Sequence, residues 1–135
     1  IGLGTFLATD NDDVEGLVKK AILEHGYRHI DTAMGYMNEE AIGRALKEVF
    51  ASGIRREDVY ITTKLWRTDY RDIEGALRTS LSKLGLEYID LYLVHAIFPD
   101  IDFEKNIVPE TPLYVVWKTL EELVKAGLIK SIGVS

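Results

Sequence analysis

Three apolar runs in this chain each close on one ionisable side chain: Arg28-His29-Ile30-Asp31, Val59-Tyr60-Ile61-Thr62-Thr63-Lys64 and Ile89-Asp90-Leu91-Tyr92-Leu93-Val94-His95. Stability favours apolar strand ends, because a partly buried Asp, Lys or His is costly unless it is paired. Chemistry is the better account. Tyr36 follows Asp31 by five positions, in the loop beyond the same run, so a carboxylate, a phenol, an ammonium and an imidazole can face one mouth. A phenol, ordinarily titrating near ~10, donates a proton poorly at neutral pH unless a cation favours its phenolate. Lys64 is the candidate cation and Asp31 the group that holds it. Tyr36 would then act as a general acid toward a carbonyl oxygen, with His95 aligning that oxygen. No activated Ser or Cys and no metal-ligand spacing accompanies them, since His25 and His29 form no short motif with His95. A proton donor without a nucleophile points to a borrowed one, most simply a hydride from a cofactor.

These residues need elements to carry them. Strand patterns fall at 1–6, 28–33, 59–65, 89–95 and 131–135, dense in Ile, Val, Leu, Tyr and Thr. Between them lie four helix patterns. The first places Val14, Leu17, Val18, Ala21 and Ile22 on one face, and the second Ala41, Ile42, Ala45, Leu46 and Val49 behind Asn38 as N-cap. The third repeats Ile73, Ala76, Leu77, Ser80, Leu81 and Leu84; the fourth starts at Thr111-Pro112 and runs through Leu113, Val116, Trp117, Leu120 and Val124. Gly26, Gly53, Gly85 and Gly127 stand where each helix should end in a left-handed residue. Trp117 and the helical stripes are expected in the core.

Strict strand-helix alternation, with strands apolar on both faces, implies a parallel sheet under helices, either doubly wound or closed as a barrel. Pattern alone does not choose. Ionisable residues gathered at strand C-terminal ends favour the barrel, and Gly2-x-Gly4 lacks the continuation of a dinucleotide-binding turn. An eight-stranded barrel takes ~250 residues. The 135 residues supply five strands and four helices and both ends fall within strands, so residues 1–135 read as a partial domain, truncated on its C-terminal side. The interval from Ala96 to Thr111, about sixteen residues, is long for a strand-to-helix loop and would overhang the site as a pocket wall or serve as a variable surface loop.

Composition narrows the function classes. Hydrophobic residues make up 47% and charged residues 28%, which is ordinary globular material rather than a disordered segment. Cysteine is absent, so disulfides, thiol nucleophiles and cysteine metal sites are excluded. The net charge of −6 comes without a basic block, which argues against nucleic acid or an anionic membrane as partner. With no apolar run of spanning length and no basic leader, a soluble cytoplasmic protein is expected.

The segment Gly26-Tyr27-Arg28-His29-Ile30-Asp31-Thr32-Ala33, with Tyr36, Asn38-Glu39 and Ile42-Gly43, resembles the first signature of the aldo-keto reductases. Thr63-Lys64-Leu65-Trp66, the run from Ile89 to His95, and Ile129-Lys130-Ser131-Ile132-Gly133-Val134-Ser135 are similar to three further family segments, in family order. The resemblance implies a TIM (β/α)8 barrel, of which this chain carries β1 to β5, and reduction of small aldehydes and ketones with NADPH preferred and NADH possible. It implies Asp31, Tyr36, Lys64 and His95 as the catalytic tetrad. Thr5, Asp31 and Ser135 would contact the cofactor, and Phe6, Trp66 and Ala96 would wall the substrate pocket. Many members carry an aromatic directly after the histidine and then a proline, whereas this chain reads His95-Ala96-Ile97-Phe98-Pro99, and Phe6 stands where Trp or Tyr is common. A small Ala96 opens or reshapes that pocket. A monomer is expected for the full-length protein. Two alternatives stay open: a cofactor-holding or regulatory module, and a half-barrel without activity.

Overall fold

A computed structural model describes residues 1–8, 11–96 and 111–135. The expected overhang between Ala96 and Thr111 lies outside the described residues. Nine main elements follow one another: β1 (Leu3–Gly4), α1 (Asn11–Leu23), β2 (His29–Asp31), α2 (Glu39–Ala51), β3 (Tyr60–Leu65), α3 (Ile73–Leu84), β4 (Ile89–Val94), α4 (Leu113–Lys125) and β5 (Ile129–Val134). The first strand is shorter than its pattern, two residues within 1–6, and β5 begins at Ile129 rather than 131.

Strand order decides between the two architectures that the pattern left open. All pairings are parallel and the sheet runs β1-β2-β3-β4-β5, each strand beside its predecessor. A doubly wound sheet reverses direction partway, whereas right-handed crossovers stepping one way keep every helix on one face, as a barrel does. The other face is then the barrel interior. Side chains alternate along a strand, so Ile30, Ile61, Thr63, Tyr92 and Val94 are buried against the helices. Register pairs Asp31 with Thr62, Thr62 with Leu91 and Lys64 with Leu93, which puts Asp31, Lys64 and, two residues past Leu93, His95 on the inner face. All three lie at strand C-terminal ends.

The core is the seam between sheet and helices. Val14, Val18 and Ile22 of α1, Ile42, Leu46 and Val49 of α2, Leu77 and Leu84 of α3, and Val116 and Leu120 of α4 pack on Ile30, Ile61, Ile89 and Tyr92. Gly43 permits a close contact between α2 and α3, since a Cβ there would stand 2.2 Å from the Lys83 carbonyl oxygen on α3. The glycines expected to end the helices all hold positive φ, Gly85 at +67° among them. Four stripe residues depart from expectation, among them Leu113, 38% exposed at the start of α4, and Val124, half-buried near its end. Leu17 is 43% exposed, because positions 14, 18, 21 and 22 already fill the buried arc of α1. Trp117 is only half-buried, as Val116 and Leu120 take the inward positions of α4. The fourth helix also starts one position later than its Thr-Pro pattern: Pro112 is the N-cap, without a side-chain bond. Among the described residues, no helix is long and apolar enough to cross a membrane.

Candidate active site

Lys64 is 4% exposed, an expensive place for an ammonium. Its three N–H donors all find acceptors. Nζ donates to Asp31 Oδ1 at 2.6 Å, to the Thr32 carbonyl oxygen at 2.8 Å and to the Tyr36 hydroxyl at 3.2 Å. The carboxylate that balances the charge stays partly exposed, and β2 and β3 hold the two in register as neighbouring strands.

Tyr36 arrives on a single 3-10 turn, Met34–Tyr36, directly beyond β2. Its own N–H donates to the Ala33 carbonyl at 3.0 Å, and Met37 then turns the chain at φ +57°. The phenol ring is held from two sides. Phe6 lies 5.1 Å away between centroids, and His95 meets it edge-on at 5.5 Å.

His95 follows β4, where its N–H donates to the Leu65 carbonyl at 3.2 Å. Trp66 packs on its other side at 5.0 Å, nearly perpendicular. Burial lowers the imidazole pKa, the Lys64 ammonium lowers it further, and Asp31 acts in the opposite sense. The balance favours the neutral ring, in which one nitrogen carries the only N–H. Nδ1 is buried without a hydrogen-bond partner among the described residues.

The remaining predicted positions surround this cluster. Thr5 is buried, with both N–H and Oγ1 donating to the Asp31 carbonyl at 3.0 and 3.1 Å. Phe6 is exposed beside Tyr36, Trp66 is half-buried against His95, and Ala96 continues from His95 with its carbonyl accepting from the Tyr70 hydroxyl. Ser135 is exposed one residue past β5, its N–H donating to Val94. The structure brings Asp31, Tyr36, Lys64 and His95 together, with Thr5 behind Asp31.

Sequence reasoning missed the residues that brace them. Asn38 occupies the N-cap position of α2 but makes no cap bond; its amide serves Thr5, Ala8 and Thr32 instead. The expected N-cap position therefore holds while the side chain turns away from the helix, sealed inward at 1% exposure. Tyr70 anchors the backbone after His95, and Glu39 accepts from Thr63, the neighbour of Lys64, at 2.7 Å. Asn38 and Glu39 stood in the sequence only as part of the family signature and, for Asn38, as a helix cap; nothing in the sequence singled out Tyr70.

A nicotinamide cofactor fits what is present. Asp31 keeps exposed carboxylate surface, and its register partner Gly4 has open space where a Cβ would stand. Among the described residues no group of three or more His, Asp or Glu side chains could hold a metal ion.

Comparison with known proteins gives one answer. The sequence profile described as the Aldo/keto reductase family matches residues 1–135. An aldehyde reductase of Saccharomyces cerevisiae is 41% identical over 152 aligned residues, which take in 100% of this chain and 47% of that protein. The methylglyoxal reductase of Escherichia coli is 49% identical, over 99% of this chain and 44% of its own length. Among solved structures, an aldo-keto reductase of Bombyx mori in complex with NADP superposes with a TM-score of 0.88 at 38% identity, covering 99% of this chain and 45% of that one. The chain spans about half the length of the curated relatives it matches. With the whole of its sequence inside the profile and its five parallel strands matching the N-terminal half of the barrel, the chain belongs to the aldo/keto reductase family.

Proposed function

We propose that this protein reduces small aldehydes and ketones to alcohols with NADPH, Tyr36 giving the proton. The observation that carries this reading is Lys64 Nζ bonded at once to Asp31 and to the Tyr36 hydroxyl, with a neutral His95 at the edge of the same ring. The chemistry that the cofactor supplies when bound is a hydride for the carbonyl carbon. The chain's own residues do the rest. Tyr36 donates its hydroxyl proton to the carbonyl oxygen, and the Lys64 ammonium stabilises the phenolate left behind. Asp31 holds that ammonium in place. His95 gives the substrate oxygen a second donor and so fixes its direction toward Tyr36. Thr5, Asp31 and Ser135 hold the nicotinamide side of the cofactor, while Phe6, Trp66 and Ala96 wall the substrate.

The relative named as a methylglyoxal reductase supports a small α-oxoaldehyde as one substrate. Ala96, a small residue after His95, leaves the pocket open on that side. Residues 1–135 form part of one reductase domain, which acts as a monomer. The experiment is NADPH oxidation by the full-length protein with methylglyoxal and with an aromatic aldehyde. Tyr36→Phe should lower kcat by roughly 10²–10⁴-fold with cofactor binding retained. A variant that kept most of its rate would remove Tyr36 as the acid.

A further inference from the structure

Asn38 commits its whole side-chain amide to the site. Nδ2 donates to the Thr5 carbonyl at 3.0 Å and to the Ala8 carbonyl at 3.2 Å, and Oδ1 accepts from Thr32 Oγ1 at 2.8 Å. Those partners lead onward. Thr5 donates through N–H and Oγ1 to the Asp31 carbonyl, Asp31 Oδ1 accepts from Lys64 Nζ, and the same Nζ donates to the Thr32 carbonyl. The links close a ring through Asn38, Thr5, Asp31, Lys64 and Thr32. Asn38, Thr5 and Thr32 are buried to within 1% and Lys64 to within 4%, so water does not compete for the bonds of Asn38 to Thr5 and Thr32 or of Lys64 to Thr32, while Asp31 alone in the ring keeps an exposed edge.

We propose that Asn38 is a positioning residue that couples the Thr5–Ala8 turn to the Lys64 ammonium, so that one buried amide sets both. The consequence of that coupling for turnover rests on the reductase reading above; the coupling itself rests on the ring. Residue type supports it. The position needs two donors toward carbonyl oxygens and one acceptor toward a hydroxyl, which a carboxamide supplies and a carboxylate of the same shape does not. An Asp would face the Thr5 and Ala8 carbonyls with an acceptor, leaving Ala8 without its Asn38 donor and Thr5 with the Ala8 N–H alone. The turn also carries Phe6, which packs on Tyr36, while Met37 joins Tyr36 directly to Asn38 in a left-handed conformation. Slack at Asn38 therefore reaches the proton donor by two routes.

The test compares Asn38→Asp and Thr32→Val with wild type in the full-length protein. Three quantities are read: hydrogen exchange at the Thr5 N–H, exchange of the Lys64 ammonium protons by NMR, and the NADPH dissociation constant from fluorescence quenching. Asn38→Asp should speed both exchanges and weaken NADPH about ten-fold, the loss expected from one or two buried hydrogen bonds. Thr32→Val cuts only the Thr32–Asn38 link and keeps the fold testable if Asn38→Asp does not fold. It should still speed exchange at Thr5, on the far side of the ring. If Thr32→Val leaves Thr5 exchange unchanged, or if Asn38→Asp lowers only the melting temperature, the coupling is overturned. A wild-type protein that does not reduce carbonyls would remove the reductase reading, and the two exchange measurements would still decide the ring.

Discussion

The Trp66 indole lies directly on the backbone of Gly35, where a Cβ would stand 2.5 Å from ring carbon Cε3 and 2.6 Å from Cζ3. Gly35 is the middle residue of the turn that delivers Tyr36, and Trp66 is the ring that packs on His95. The absence of a side chain at one position thus sets how close the indole comes to Tyr36, the proposed proton donor. Gly35→Ala must displace the indole, since the turn backbone is fixed by the Ala33 and Met34 carbonyls. The expected outcome is an altered KM for bulky carbonyl substrates, an NADPH affinity within two-fold of wild type, and a stability loss of roughly 1–3 kcal/mol from overpacking. Steady-state kinetics across aldehydes of increasing size would check it; a uniform fall in kcat with unchanged KM would contradict it.

The ammonium of Lys64 meets a carboxylate, a carbonyl and a phenol in three directions. Lys64→Met keeps the length of the side chain and removes every one of those bonds, so kcat should fall by about 10²–10⁴-fold, the range for a lost acid-base partner. Lys64→Arg should not rescue it. A planar guanidinium cannot place its donors on three acceptors arranged around a compact charge. Single-turnover reduction under saturating NADPH separates this from a cofactor-binding defect, and an Arg variant within ten-fold of wild type would show that charge alone suffices.

Much of this site was legible because it obeys two short-range rules. Asp31, Lys64 and His95 each end an apolar run, and alternation along parallel neighbours puts them on one face whatever the curvature of the sheet. The choice of a barrel was not legible from alternation, since a doubly wound sheet repeats the same elements and differs only in strand order. Asn38 shows the harder limit. Its type and its place before α2 fit a helix cap, while its partners at positions 5, 8 and 32 come from segments that sequence spacing does not connect. Leu17 shows the same limit on a helix, where a stripe read by spacing is wider than the arc the sheet covers.

Glu39 is 2% exposed and sits behind β3, accepting from Thr63 Oγ1 at 2.7 Å and from Ser80 Oγ at 3.1 Å. Burial raises its pKa above the ordinary carboxylate value, opposed by the two hydroxyls and by Lys83. The fold then binds a proton more tightly than the unfolded chain does. Stability from this group is fully present below the unfolded pKa, near ~4.3, and is lost as pH rises through the folded value. Glu39→Gln should flatten that dependence: its stability relative to wild type rises as pH climbs from about 4 toward 7. Urea denaturation at several pH values measures it, and parallel curves for the two proteins would show that the carboxyl titrates alike in both states.

At the opposite end of the strands, Asp90 joins three elements. Its Oδ2 accepts from the Ile61 N–H at 2.9 Å and from Arg56 at 2.7 Å, and Oδ1 accepts from Lys130 at 3.2 Å. Arg56 and Lys130 also lie 4.1 and 4.0 Å from the centroid of the Tyr88 ring. The three bonds are unequal. The Lys130 side chain is 53% exposed, so its ion pair is screened and should contribute under ~1 kcal/mol. The Ile61 and Arg56 bonds are shielded, and removing their shared acceptor strands a buried N–H and takes the counter-charge from a guanidinium left with only the Val59 and Tyr88 carbonyls. Asp90→Ala should therefore cost about 3 kcal/mol, with Lys130→Ala costing only a fraction of that. Barrel enzymes concentrate chemistry at the C-terminal face and stability at the other, so kcat of the folded Asp90→Ala protein should match wild type. Denaturation midpoints and active-site-normalised rates measured on one preparation would test both halves. A fall in kcat at full folding would mean that this end of the barrel reaches the Lys64 ammonium through β3.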